Sequence, residues 1–166
     1  MSKIIGIGGV SRSGKTHLSH DIVWHYRQQG KRAIAIRQDD FVRLNDQIPT
    51  INEEINWEIP ESIDYSLIIK ALEFFSENFD ILIIDGHLIY ADQKLVDMID
   101  VPFLLKTSEE TFYRRKADDT RWGTIPKWFI NHIWDAFKHY GAINIINPII
   151  VETDYPGIDN IKQHLP

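Results

Sequence analysis

Residues 4–19 read IIGIGGVSRSGKTHLS, Ile4 to Ser19. An apolar run spaced by glycines passes directly into Arg12-Ser13-Gly14-Lys15-Thr16 and then into a helical pattern. Within it, Gly9-Val10-Ser11-Arg12-Ser13-Gly14-Lys15-Thr16 is a complete G-x-x-x-x-G-K-[ST] pattern. Glycines let the backbone curl so that successive N–H groups point inward at a β-phosphate. The helix that starts there adds its positive N-terminal end. Lys15 would reach between β- and γ-phosphates, and the Thr16 hydroxyl would ligate Mg²⁺. A tight turn also uses glycine for packing, but the position between a strand and a helix favours an anion cradle.

Outward from this stretch, short apolar runs alternate with longer helical patterns, which predicts βαβ units and a parallel sheet. Strands are expected at Lys3–Ile7, Arg32–Ile36, Ile81–Ile84, Val101–Leu105 and Ile149–Val151. Helices are expected at about Ser13–Gln29, Glu61–Ser76, Leu88–Ile99, Glu109–Asp118 and Lys127–Tyr140. Gly30 would stop the first helix, and Thr107 with Glu110 would form a capping box. Pro60 and Pro126 suit helix starts, and Gly141 suits a helix end. Asn45–Asn56 and Asp119–Pro126 lack periodicity and are expected to be long functional loops. The fold class is α/β, a doubly wound domain over residues 1–166 with a five-stranded parallel sheet.

Composition narrows the function. The 166 residues suit one domain, and 43% hydrophobic residues allow a buried core. The net charge of −6, without a long Lys/Arg block, argues against a nucleic-acid partner. The chain has no cysteine, which removes disulfides, thiolate catalysis and Cys-ligated metals and favours a cytoplasmic setting. Ile4–Val10 is too short for a signal segment, and no run approaches the ~18 apolar residues of a membrane span. The expected partners are therefore small molecules, with no nucleic acid and no membrane; the oligomeric state is left open.

Among nucleotide-binding classes, a GTPase needs a DxxG before the sheet is complete and an NKxD. The DxxG here is Asp154–Gly157, after the last strand, and there is no NKxD. A transport ATPase signature of the LSGGQ kind is also absent. A small-molecule kinase needs a carboxylate base, an acceptor pocket and a mobile arginine lid, and each has candidates. "RQDDF", Arg37 to Phe41, puts Asp39 and Asp40 at a strand's C-terminal end, where α/β sheets bind ligands. One carboxylate could take a hydroxyl proton and Phe41 could stack a flat ring. On an extended chain Asp39 and Asp40 would point to opposite sides. "ILIIDG", Ile81 to Gly86, presents Asp85 from a buried strand toward a metal's water shell. "YRRKADDTRWG", Tyr113 to Gly123, carries Arg114, Arg115 and Arg121, which a closing loop could bring to the transferring phosphoryl group. In "NWEIPESID", Asn56 to Asp64, Glu58 could accept hydrogen bonds from a vicinal diol and Trp57 could wall the pocket. His87 adjoins Asp85-Gly86, where a structural role is expected.

The ordered set GGVSRSGKT, QDDF, NWEIPESID, ILIIDG and RRK…TR resembles the nicotinamide riboside kinase branch of the uridine kinase-like P-loop family, from Lys3 to about Tyr140. "IPKWFINHIWDAFKHYG" resembles that branch's helix after the lid. The resemblance implies a P-loop kinase fold with a short lid at about 115–126, using ATP and Mg²⁺. It implies that Asp39 takes the ribose 5′-hydroxyl proton and also approaches Mg²⁺, and that Phe41 flanks the base or pyridine ring. Trp57 and Glu58 would hold the ribose, Arg115 and Arg121 would touch ATP, and Lys116 would stand where the family has a substrate-contacting arginine. Glu152 to Asp154 would lie near the adenine. Val42 departs from the family's second aromatic, and its aromatic after the lid arginine is met only by Trp122. The implied reaction is 5′-phosphorylation of nicotinamide riboside; uridine or cytidine is the alternative acceptor. A nucleotide-binding regulator without catalysis is the alternative class.

Overall fold

The computed structural model describes residues 2–120, 123–152 and 154–166. Its main sheet has five strands, all parallel: β1 (Lys3–Gly9), β2 (Ala33–Arg37), β5 (Ile81–Gly86), β6 (Val101–Lys106) and β7 (Ile149–Glu152), in the order β2-β5-β1-β6-β7. The expected strands are all present, each extended by a residue or two at its C-terminal end. A separate two-stranded hairpin, β3 (Thr50–Ile51) with β4 (Glu54–Ile55), lies between β2 and β5 in the chain.

Period-two alternation sorts the strand residues onto two cores. Ile5 and Ile7 of β1 with Ile81 and Ile83 of β5 pack against Leu18, Ile22 and Tyr26 of helix α1 (Lys15–Gln28). Ile4, Leu82 and Ile84 pack on the opposite face against Ile68 and Leu72 of α2 (Tyr65–Ser76) and Leu95 of α3 (Gln93–Met98). All six residues of β5 are buried, which is why its sequence is a continuous apolar run rather than an alternating one. Tyr90 lies across β1 and donates from its hydroxyl to Phe103 O at 2.7 Å. A Cβ at Gly8 would sit 2.3 Å from its ring, so Gly8 serves packing and not the phosphate loop.

Helices α4 (Glu109–Ala117) and α5 (Lys127–Tyr140) complete the second half with the short α6 (Ile158–Ile161). Phe112 of α4 stacks on Trp134 of α5 with ring centroids 5.0 Å apart. The connection after β7 closes over α1, where Ile161 joins the first core.

Several local expectations are corrected. The cap of α4 is Ser108, accepting from Thr111 N at 3.1 Å, and not a Thr107–Glu110 box. Ser108 is still extended and its hydroxyl reaches the orphan N–H of the first turn. The second helix starts at Tyr65 behind an Asp64 cap, with Pro60–Ser62 forming a separate 3₁₀ turn. The third starts only at Gln93, capped by Asp92, because Leu88–Tyr90 are used as buried core residues. Asn45–Asn56 is not irregular. It contains a 3₁₀ turn at Asn45–Gln47 and the β3–β4 hairpin, whose turn residues Asn52 and Glu53 have φ of 48° and 68°. Positive φ at both central positions matches the primed turns that suit hairpin twist.

Candidate active site

The C-terminal edge of the sheet gathers the chemistry. Parallel register places Ile7 of β1 and Arg37 of β2 on either side of Asp85. The phosphate loop leaves β1 next to Asp85, and the Asp39 turn leaves β2 on the other side.

The loop itself is held in an open ring. Arg12 (φ 67°) and Gly14 (φ 99°) are left-handed, and Ser13 N donates to Val10 O at 3.1 Å. Alternating hand turns successive N–H groups toward one concavity. Ser13 Oγ is buried with no hydrogen-bond partner among the described residues. A buried orphan hydroxyl inside a glycine ring at a helix N-terminus fits a bound phosphate chain. Lys15 Nζ donates to Val10 O at 2.9 Å across the loop. Desolvation lowers its pKa, opposed by the charges of Asp85, Asp39 and Glu58, while Lys116 lowers it further. All four groups therefore lie within electrostatic reach of the lysine.

Asp85 is 4% exposed and takes hydrogen bonds from two hydroxyls of α1: Ser19 Oγ at 2.6 Å and Thr16 Oγ1 at 3.3 Å. Its pKa is raised, mainly by desolvation and with a contribution from Asp39; the bond from Ser19, the charge of Lys15 and the bond from Thr16 oppose that rise. Sequence reasoning missed Ser19, although its signal was available: it lies three residues after Thr16, on the same helical face. Among the described residues no group of three or more His, Cys, Asp or Glu side chains could by itself hold a metal. Mg²⁺ bound with a nucleotide needs only one or two protein oxygens besides phosphates and water. Thr16, Asp85 and Asp39 fit that smaller requirement.

Asp39, Asp40 and Phe41 sit in a 3₁₀ turn, Gln38–Phe41, and not on an extended chain. The separation expected for the two carboxylates is nevertheless realised by other means. Asp40 is tied back to Arg37 through Nη2–Oδ1 at 2.8 Å, whereas Asp39 acts on Lys15 and Asp85. Phe41 is half-buried against the second core, and its carbonyl accepts from Asp64 N at 2.9 Å. Trp57 is half-buried, and the Glu58 side chain, 12% exposed, has Oε2 3.3 Å from His87 Nε2. His87 thus faces the Glu58 carboxylate.

On the other side of the loop, Arg115 donates to Arg12 O at 3.0 Å and to Asp154 O, with its guanidinium 5.9 Å from the Tyr155 ring. It braces the loop against the 154–157 segment through backbone oxygens. Lys116 is buried, 3.7 Å from Asp119, and Asp119 lies 4.0 Å from Arg12. Glu152 pairs with Lys106 on the neighbouring strand. Arg121, and Trp122 with it, lies outside the described residues, as does Thr153 of the expected adenine segment.

No family model matches the chain. Among curated proteins it is 26% identical over 160 residues to nicotinamide riboside kinase 2 of Mus musculus, covering 84% of this chain and 80% of that one. It is 28% identical over 144 residues to the uridine kinase of Lactobacillus johnsonii, covering 71% and 68%. The chain is thus similar to nicotinamide riboside kinases and to uridine kinases. Solved structures carry the same fold. A possible uridine kinase from Bacillus stearothermophilus superposes with a TM-score of 0.63 at 18% identity, covering 90% of this chain and 89% of that one. Phosphoribulokinase from Rhodobacter spheroides gives 0.58 at 14%, covering 84% and 65%. The five-stranded parallel sheet with its flanking helices is thus the fold of these kinases.

Proposed function

We propose that this chain transfers the γ-phosphoryl group of ATP to the 5′-hydroxyl of a ribonucleoside, with nicotinamide riboside as the foremost acceptor and uridine or cytidine next. The observation that carries the reading is the meeting of Lys15, Asp85, Asp39 and Glu58 at one sheet edge, all within electrostatic reach of the lysine. A phosphate cradle alone would serve any nucleotide binder. A carboxylate beside it, Asp39, and a second, largely buried one, Glu58, are what an alcohol acceptor requires.

In this reading the ring 9–14 holds the β-phosphate through backbone N–H groups. Lys15 leaves the Val10 carbonyl and follows the charge that builds on the γ-phosphate. Bound Mg²⁺ would supply positive charge that offsets part of the charge on the phosphates. Thr16, Asp85 and Asp39 are the residues that would hold it. Asp39 accepts the proton of the attacking hydroxyl, and Glu58 with Trp57 and Phe41 orients the ribose and its ring. Arg115 keeps the loop braced, Lys116 adds positive charge on the Lys15 side, and Arg121 would arrive with the lid. A chain without cysteine suits a reducing cytoplasm, and no helix among the described residues is long and apolar enough to cross a membrane.

A coupled ADP-release assay with ATP and Mg²⁺ tests the reading. Turnover is expected with nicotinamide riboside, uridine or cytidine, and the ranking of kcat/KM assigns the acceptor. ATP binding without turnover on any of the three would favour a nucleotide-binding regulator and overturn the kinase assignment.

A further inference from the structure

His87 follows Asp85-Gly86 at the end of β5, yet the phosphate and metal chemistry above does not use it. Its side chain is 17% exposed, and its Nε2 lies 3.3 Å from Glu58 Oε2. Its neighbours fix the tautomer. The backbone N–H of Leu88 donates to Gln38 Oε1 at 2.7 Å, which orients the Gln38 amide with its nitrogen toward His87. That nitrogen lies 3.3 Å from His87 Nδ1. An amide nitrogen only donates, so Nδ1 accepts and the proton of the neutral ring is on Nε2, facing Glu58. The Nε2 atom is buried, lies off the line of a hydrogen bond in this state, and meets no other acceptor among the described residues. Gln38 crosses the end of β5 because residue 86 is glycine; a Cβ there would sit 2.4 Å from its Cβ and Oε1.

A carboxylate withdrawn from water needs a donor. The Glu58 backbone N–H goes to Asn56 Oδ1 at 3.3 Å, and His132 Nε2 lies 2.8 Å from that same oxygen. Asn56 therefore holds the segment, while His87 is the group beside the carboxylate itself. We propose that His87 is a positioning residue for acceptor recognition: with Gln38 it forms a backbone-anchored support that holds one oxygen of Glu58 from the buried side and presents the other to the vicinal hydroxyls of a ribose. The inference rests on the kinase reading above and deepens it. The 3.3 Å contact straightens into a hydrogen bond when the hydroxyls draw Glu58 into place, as such bonds do between free and substrate-bound states.

The test compares KM and kcat for uridine, 2′-deoxyuridine and 3′-deoxyuridine in the unmodified protein and in His87→Phe, His87→Gln and Gln38→Leu. Removing a hydrogen bond to a charged group should raise the uridine KM about tenfold in His87→Phe. The deoxynucleoside KM values and the ATP KM should hold within about twofold, so that discrimination between ribose and deoxyribose collapses. Gln38→Leu, which leaves the imidazole but removes its anchor, should give the same pattern, and it decides the matter if His87→Phe does not fold. His87→Gln keeps a donor and should recover most of the discrimination. Equal loss on ribo- and deoxynucleosides, loss confined to kcat, or unchanged discrimination would overturn the role of His87. Those results differ from absence of turnover on every ribonucleoside by the unmodified protein, which would overturn the kinase reading itself.

Discussion

Replacing Gly14 by alanine separates the mechanical demand of the phosphate loop from its chemistry. Gly14 sits at φ 99°, and a Cβ there would lie 2.7 Å from Pro156 Cγ and 3.1 Å from Pro156 Cδ. A side chain held in the left-handed region costs about 1–2 kcal/mol. Relief is blocked in one direction by Pro156, whose segment is held to the loop through Arg115, bonded to both Arg12 O and Asp154 O. Two limits bound the outcome. If the loop keeps its native backbone, the whole strain is lost from stability, and at about 2–4 °C per kcal/mol the melting temperature falls by about 2–8 °C. If the loop relaxes instead, ATP must restore the ring on binding, and Kd rises about 5–30-fold. The two losses share one total, so a small change in one goes with a large change in the other. Thermal melts without nucleotide and calorimetric titration of ATP measure both. Nucleoside binding in the absence of ATP should change little, because the contacts that hold Glu58 run to His87 and Asn56 and not to the phosphate loop. A variant with native melting temperature and native ATP affinity would show that Gly14 is not conformationally required, and the cradle description would fail.

Asp39→Asn keeps size and hydrogen-bonding reach but cannot take a proton; it should preserve ATP binding and cut nucleoside phosphorylation by roughly 10²–10⁴-fold. Asp40→Asn should do much less, since Asp40 is committed to Arg37; if the two variants are equally mild, the base is Asp85 instead. Lys15→Ala should retain the fold and lower turnover by roughly 10²–10³-fold in saturating ATP, and near-normal turnover would sink the phosphate-loop reading. Asp85 has a folded-state pKa raised above 3.8, so its ionisation is less favourable in the folded chain, and its stabilising contribution is lost as pH rises from 3.8 through the folded value. Asp85→Asn should therefore gain melting temperature relative to the unmodified protein as pH rises above about 4, while losing Mg²⁺-dependent turnover; a pH-independent difference between the two melting curves would contradict this.

The parts legible in the sequence are those whose signal is local. The glycine spacing and the strand-to-helix handover at residues 4–19 specify the phosphate loop, because each φ and each N–H direction depends on the next few residues. Likewise, four apolar residues ending in Asp85 specify a buried strand with a carboxylate at its tip, and Arg37–Phe41 could be placed at a strand end. The five strands followed from the same kind of pattern. Short-range evidence failed where a local choice had close competitors: Ser108 over Thr107 as a cap, and a hairpin at 50–55 built on two left-handed residues that are not glycine.

What only the tertiary structure decided is which distant groups meet. Ser19 and Asp85 are 66 residues apart, Gln38 and His87 49, and Arg12 and Arg115 103. None of these pairings has a periodicity to betray it. Each depends on the strand order β2-β5-β1-β6-β7 and on parallel register, which set Arg37 and Ile7 beside Asp85 and bring the loops that follow them together. The sequence alone could supply Glu58 and His87 as separate polar residues. Their contact exists because folding withdraws both from water at one edge of the sheet, where a carboxylate needs a donor and the imidazole is turned to be one.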